Sequence, residues 1–204
     1  MIAIVDYGLG NLYSLNCSLD AIGAEHVITS DSNVIKAADK LILPGVGAFR
    51  DAIDLLNTSG LGAVVVERAH AGIPLLGICL GMQLLFERSY EYGEYEGLGL
   101  LDGEICPIEP NKVAPLKVPH IGWNNLDFQR DSILTERING GDYVYYVHSY
   151  YAKGAGEALI ASSEYGITIP GVVQRANVMG TQFHPEKSGE VGLRILASFC
   201  EVTA

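Results

Sequence analysis

The chain of 204 residues predicts an α/β fold: an open, mostly parallel sheet with helices on both faces, a cysteine at a strand-to-helix elbow, and additional antiparallel strands in the second half. Short β-rich runs alternate with helical patterns through the first half, as βαβ units do. The run Pro74-Leu75-Leu76-Gly77-Ile78-Cys79-Leu80-Gly81 drives a buried strand straight into a helix. From Gly97 to Gln182 the pattern changes to short strands and turns rich in Gly, Pro, Asn and Tyr, which reads as a more antiparallel region on the same core. With 49% hydrophobic residues, no internal repeat and no linker, residues 1–204 are expected to form one domain.

The elements follow in order. Ile2 to Val5 is the first strand. Asn11 is placed to cap a helix with Leu12, Leu15, Leu19 and Ile22 on one face, and Gly23 stands where a C-terminal cap is wanted. His26 to Thr29 returns as a strand, and Lys40 to Leu43 is a buried strand ending at Pro44. Phe49 to Leu56 and Leu61 to Ala71 are helical, Pro74 to Ile78 is the next strand, and the helix after Cys79 carries the apolar run on to Phe86. Ser188 opens a last helix with Gly192, Ile195, Leu196 and Phe199 on one face.

Composition removes several function classes. Twenty-four acidic against thirteen basic side chains give a formal charge of −11, which opposes binding to nucleic acid or anionic membrane. The longest uncharged apolar stretch, Gly72 to Phe86, is too short for a membrane span and is interrupted by Pro74, Gly77 and Gly81. Met1-Ile2-Ala3-Ile4-Val5-Asp6 has no basic leader, so a cytoplasmic protein is expected. The four cysteines, Cys17, Cys79, Cys106 and Cys200, form no C-x-x-C pair, which gives no basis for a zinc site or a disulfide framework. Gly8-Leu9-Gly10-Asn11-Leu12-Tyr13 lacks the third glycine of a dinucleotide fingerprint, and no cofactor or metal is expected.

Cys79 is the candidate nucleophile. Gly77 and Gly81 flank it two residues away on each side, where a tight elbow leaves no room for side chains. A thiol at a helix N-terminus meets unpaired N–H groups that favour thiolate, and the N–H of Leu80 can supply half of an oxyanion hole. Cys17, Cys106 and Cys200 lack this setting and read as packing residues. The candidate base is His184, in Phe183-His184-Pro185-Glu186, where an extended chain would direct Glu186 toward the imidazole. The roles expected are Cys79 as nucleophile, His184 as base then acid, and Glu186 as the residue that holds the imidazole tautomer. Gln83 lies one helical turn beyond Cys79, and Pro44-Gly45-Val46-Gly47 offers flexible backbone at a strand end, able to give the second oxyanion N–H.

Gly77-Ile78-Cys79-Leu80-Gly81-Met82-Gln83 together with Phe183-His184-Pro185-Glu186 resembles the paired signature of class I glutamine amidotransferases. Pro44-Gly45-Val46-Gly47-Ala48-Phe49, His120-Ile121-Gly122-Trp123-Asn124 and Tyr146-Val147-His148-Ser149-Tyr150 extend the resemblance over nearly the whole chain. It implies hydrolysis of L-glutamine to glutamate and ammonia through a thioester on Cys79. The branch resembled hands its ammonia to a separate (β/α)8 cyclase subunit that makes imidazole glycerol phosphate in histidine biosynthesis, as a heterodimer. By the same resemblance Gly45 and Gly47 line the glutamine pocket, the Val46 region is the oxyanion strand, and Gln83, Glu91, His148, Ser149 and Tyr150 contact substrate. Glu91 is chosen over Glu94 and Glu96 by its offset from Cys79. Asn11, Lys187 and Trp123, the last in a Gly-Trp-Asn turn, would face the cyclase. The glutaminase of pyridoxal phosphate synthase and a catalytically silent regulatory subunit remain as alternatives; the oxyanion motif argues against the first and the intact triad against the second.

Overall fold

Residues 1–203 are described by the computed structural model. The first half lays down β1 (Ile2–Val5), α1 (Leu12–Ala21), β2 (His26–Thr29), α2 (Ser32–Ala37), β3 (Lys40–Gly45), α3 (Phe49–Ser59), α4 (Leu61–His70), β4 (Leu75–Cys79) and α5 (Leu80–Leu84). The second half adds β5 (Phe86–Ser89), β6 (Tyr95–Glu96), β7 (Leu101–Pro107), α6 (Pro110–Val113), β8 (His120–Asn125), β9 (Asp127–Phe128), β10 (Tyr143–His148) and β11 (Tyr150–Lys153). It closes with β12 (Leu159–Glu164), β13 (Thr168–Arg175), β14 (Val178–Thr181) and α7 (Gly189–Glu201).

The main sheet has eight strands in the order β2-β1-β3-β4-β14-β13-β12-β9. Its β2-β1-β3-β4-β14 portion is parallel and the remainder antiparallel, as expected. Strands β1, β3 and β4 are buried along almost their whole length because both faces are covered. Alternate residues serve the two faces: Ala3 and Val5 pack with Phe49, Leu56 and Val65 of α3 and α4, whereas Ile2 and Ile4 pack with Leu15, Leu19, Ile195 and Phe199 of α1 and α7. The expected faces of α1 and α7 are therefore the ones buried, and Gly23 closes α1 with its N–H on Asp20.

Several boundaries differ from the sequence reading. β3 does not stop at Pro44: Pro44 pairs with Ile78 and Gly45 with Cys79. The helix after Cys79 ends at Leu84, and the chain at Phe86 becomes a strand paired with β7 and β6. An apolar run short enough for either state does not reveal that change. Helix α2, capped by Asp31 accepting from the Asn33 N–H, was not expected; its one buried residue, Ile35, gives no periodicity to read. Trp123 lies within β8, opposite Tyr145, and not in a turn. Only Ser149 separates β10 of a two-stranded ribbon from β11 of a four-stranded sheet, so the chain changes sheets at that residue. Among the described residues no helix is long and apolar enough to cross a membrane, and no cluster of side chains could hold a metal ion.

Candidate active site

Cys79 is the last residue of β4 and precedes the first turn of α5 with φ 54° and ψ −110°, a left-handed conformation that is costly for a residue with a side chain. The glycines on either side make it possible. A Cβ on Gly77 would lie 2.7 Å from the Gly81 carbonyl, and one on Gly81 would lie 1.8 Å from the Leu43 carbonyl. Strand register then sets the neighbours. Gly45 pairs with Cys79, so the chain leaving β3 through Val46 and Gly47 passes beside the thiol, and Gly47 has φ +100°. Tyr7, which the sequence did not single out, braces this strand by donating to the Pro44 carbonyl at 2.9 Å, with its phenol pushed up by burial and then by the nearby Cys79.

On its other edge β4 pairs with β14, whose chain continues through Gln182 and Phe183 to His184. His184 Nδ1 lies 2.8 Å from Glu186 Oε1, and both side chains are 2% exposed. The contact forms for a reason other than the one expected. Residues Pro185–Lys187 make a tight 3₁₀ turn, held by Ser188 Oγ donating to the His184 carbonyl at 2.6 Å, and the turn folds Glu186 back onto the ring. Asn11 stands at the N-cap of α1 as expected, its carbonyl accepting from the Leu15 N–H, but its side chain makes no capping bond and instead donates to Glu186 Oε1 at 3.2 Å. Burial alone would lower the His184 pKa, but hydrogen bonding with Cys79 and Glu186 outweighs it and pushes the imidazole up to about 10. Gln182 Nε2 approaches the Cys79 sulfur at 3.8 Å.

Cys79 and His184 open into a cavity of about 400 Å³. Val46, Gly47, Glu91, Ser149 and Tyr150 line it, with Leu80, Gln83, His148 and Lys187 also on its surface. Of the three candidate carboxylates, Glu91 is the one that lines the cavity. Glu91 reaches the cavity and accepts from the Phe49 N–H at 2.6 Å, while Glu94 pairs with Arg88 at 3.0 Å and Glu96 lies in β6. Burial raises the Glu91 carboxyl and the Phe49 bond opposes it. Gln83 is tied into the wall, its amide nitrogen donating to the Tyr150 carbonyl and to Gln182 Oε1, each at 3.0 Å. His148 is buried, bonded to Tyr150 and to His120, a residue that the sequence marks only as part of a family motif and with no role of its own.

Of the residues assigned to a partner surface, Trp123 is 53% exposed and packs edge-on to Tyr145, and Lys187 is exposed, whereas Asn11 turns inward to Glu186. Cys17 is exposed on α1 and is not a packing residue; Cys106 and Cys200 are half-buried. A solvent-facing position within the helix explains the difference, since Leu15 and Leu19 hold the buried stripe.

A family model described as glutamine amidotransferase class-I matches residues 3–202. The chain belongs to the class-I glutamine amidotransferase family. It is 51% identical over 206 residues to imidazole glycerol phosphate synthase subunit HisH of Bacillus licheniformis, covering 100% of this chain and 97% of that one. The HisH subunit of Oceanobacillus iheyensis is 49% identical, with 99% of each chain covered. Such likeness over full length makes the chain a member of the HisH family. A solved glutamine amidotransferase shares the fold at a TM-score of 0.76 and 19% identity, over 98% of this chain and 99% of that one.

Proposed function

We propose that this chain, acting as one domain over residues 1–204, hydrolyses L-glutamine and passes the ammonia to a (β/α)8 cyclase subunit that makes imidazole glycerol phosphate in histidine biosynthesis in the cytoplasm. The observation that carries the reading is the junction of a nucleophile elbow at Cys79 with the buried His184–Glu186 pair, opening into one cavity. Membership of the HisH family supports the pathway and the cyclase as partner.

The sulfur of Cys79 attacks the glutamine side-chain carbonyl with its proton resident on His184, forming a tetrahedral oxyanion. The N–H of Leu80, joined by a backbone N–H from Val46 or Gly47, stabilises that charge. His184 then gives its proton to the departing nitrogen, ammonia leaves, and a γ-glutamyl thioester remains. Water attacks the thioester with His184 as base, and glutamate is released with the thiol restored. Glu186 holds the ring with Nδ1–H toward the carboxylate, which presents Nε2 to the reaction. Glu91 takes the substrate ammonium, and His148, Ser149 and Tyr150 with Gln83 shape the pocket; Gly45, expected to line it, is instead buried against Tyr7 and Gly81 beneath the elbow. Trp123, Lys187 and the Asn11 region form the surface that meets the cyclase.

The test is co-purification with a candidate cyclase, followed by glutamate and ammonia assays with and without the cyclase ligand. Ligand-dependent glutamine hydrolysis by the complex is expected; no hydrolysis under any condition would overturn the reading.

A further inference from the structure

His120 and His148 face each other across β8 and β10 as a paired register position, and neither belongs to the triad. His148 Nδ1 lies 2.8 Å from the Tyr150 carbonyl. A carbonyl only accepts, so Nδ1 carries the proton. Burial pushes His148 down to about 3 and His120 down to about 4, so both rings are neutral at neutral pH. A neutral His148 then has a bare Nε2, which sits 2.9 Å from His120 Nδ1 and accepts from it. His120 in turn has a bare Nε2 facing Asn124 Nδ2 at 3.5 Å. The donors therefore run one way, from Asn124 through two imidazoles to the Tyr150 carbonyl.

That carbonyl is a node. It also accepts from Gln83, which continues to Gln182 and so to the Cys79 sulfur. His120 has little freedom to leave its place, because its ring is stacked between Tyr165 at 3.8 Å and Tyr146 at 4.6 Å. Tyr150 and Ser149 form the cavity wall where the chain changes sheets; Tyr150 pairs with Pro107 in β7, the Ser149 carbonyl accepts from the Ile108 N–H at 2.8 Å, and the Tyr150 carbonyl is held from the cavity side by His148 and Gln83.

We infer that His120 is a positioning residue for glutamine hydrolysis: by donating to His148 it fixes the Nδ1–H tautomer of that ring and so holds the Ser149–Tyr150 wall in place for substrate. Without this donor His148 is free to carry its proton on Nε2, which would aim a lone pair at the Tyr150 carbonyl and push the wall away. The inference rests on reading the cavity as a glutamine site.

Two measurements test it. Nitrogen NMR of the histidine rings at neutral pH should show His120 and His148 both neutral and both protonated on Nδ1; Nε2–H or a doubly protonated ring at either position would overturn the inference. The second is inactivation by a glutamine-like chloroketone at Cys79, compared with alkylation by iodoacetamide, which does not need the wall. His120→Phe keeps the stack and removes the donor, and should raise the half-saturating chloroketone concentration about tenfold while leaving the iodoacetamide rate unchanged. His120→Asn, whose amide nitrogen stands near the place of Nδ1, should restore saturation close to wild type. An unchanged half-saturation in His120→Phe, or equal defects in the two variants, would overturn the inference. Wild-type labelling that fails to saturate would instead overturn the glutamine reading, a result separable from a defect confined to a variant.

Discussion

His184 and His148 line the same cavity, both are buried, and burial pushes both toward the neutral form. They end in opposite states. His184 has a carboxylate at 2.8 Å and the Cys79 sulfur beside it, and hydrogen bonds and charge interactions with these two raise its pKa against burial. His148 faces a carbonyl and another imidazole, neither of which rewards a positive charge, so burial prevails. Partners within hydrogen-bond reach, and not depth in the protein, thus decide which histidine takes up a proton readily and which one stays neutral.

The largest expected effect lies on the charged side. Cys79→Ala should abolish glutamine hydrolysis while the fold persists, and the complex with its cyclase should still form product from added ammonium salt; loss of that ammonia-driven turnover would break the division of labour between the subunits. His184→Ala should cost about 10⁴-fold in kcat, and Glu186→Gln less, about 10²- to 10³-fold, because an orienting group contributes less than the base it orients. Steady-state rates in which both changes were negligible would transfer the base role to another histidine.

Next comes the oxyanion side. The lone chain should be a poor glutaminase that the ligand-occupied cyclase accelerates by about 10²–10³, mainly in kcat, because one donor turned inward has that worth. Gly47, at φ +100° and with open space around its α-carbon, makes such a peptide rotation sterically cheap. Equal rates for the lone chain and the saturated complex would show a constitutive hydrolase. On the neutral side, His148→Ala should act chiefly on KM, by about tenfold, and a pure kcat defect would erase the contrast between the two histidines.

The smallest effect is on stability, and its sign differs between the two regions. The His184 pKa is raised from 6.5 to about 10, so its stabilisation is complete below pH 6.5 and is lost as pH rises through about 10. The pKa values of His120 and His148 are lowered from 6.5 to about 4 and about 3, so their contribution is complete above pH 6.5 and is lost as pH falls through those values. Melting temperatures of wild type and His184→Asn should therefore converge at alkaline pH, and those of wild type and His148→Asn in acid.

The charged region was legible in the sequence and the neutral region largely was not. Cys79 between two glycines is a local pattern imposed by a local steric demand, and His184 with Glu186 is a contact two residues long. Even there the mechanism of approach was hidden, since a 3₁₀ turn and not an extended chain brings Glu186 to the ring. His120 acquires its role from cross-strand register with His148, which no run of neighbouring residues encodes. The same limit explains Trp123, whose surroundings look turn-like until β10 is laid beside it. Asn11 carried a cap signal and stands at the cap, yet its side chain is drawn away from the helix by donating to Glu186, which lies 175 residues further on.

The adjacency of β4 and β14 has one more consequence. Gln182 and the Cys79 sulfur touch although 103 residues separate them, and the strands that bring them together are parallel neighbours in the middle of the sheet. Contacts of such sequence separation are slow to form, because loop closure precedes any gain from them. A refolding chain should therefore regain the capacity for analogue labelling at Cys79 only after the C-terminal third has docked, so that the thiol keeps time for the closure of the sheet, readable by pulsed labelling in quenched flow followed by mass measurement.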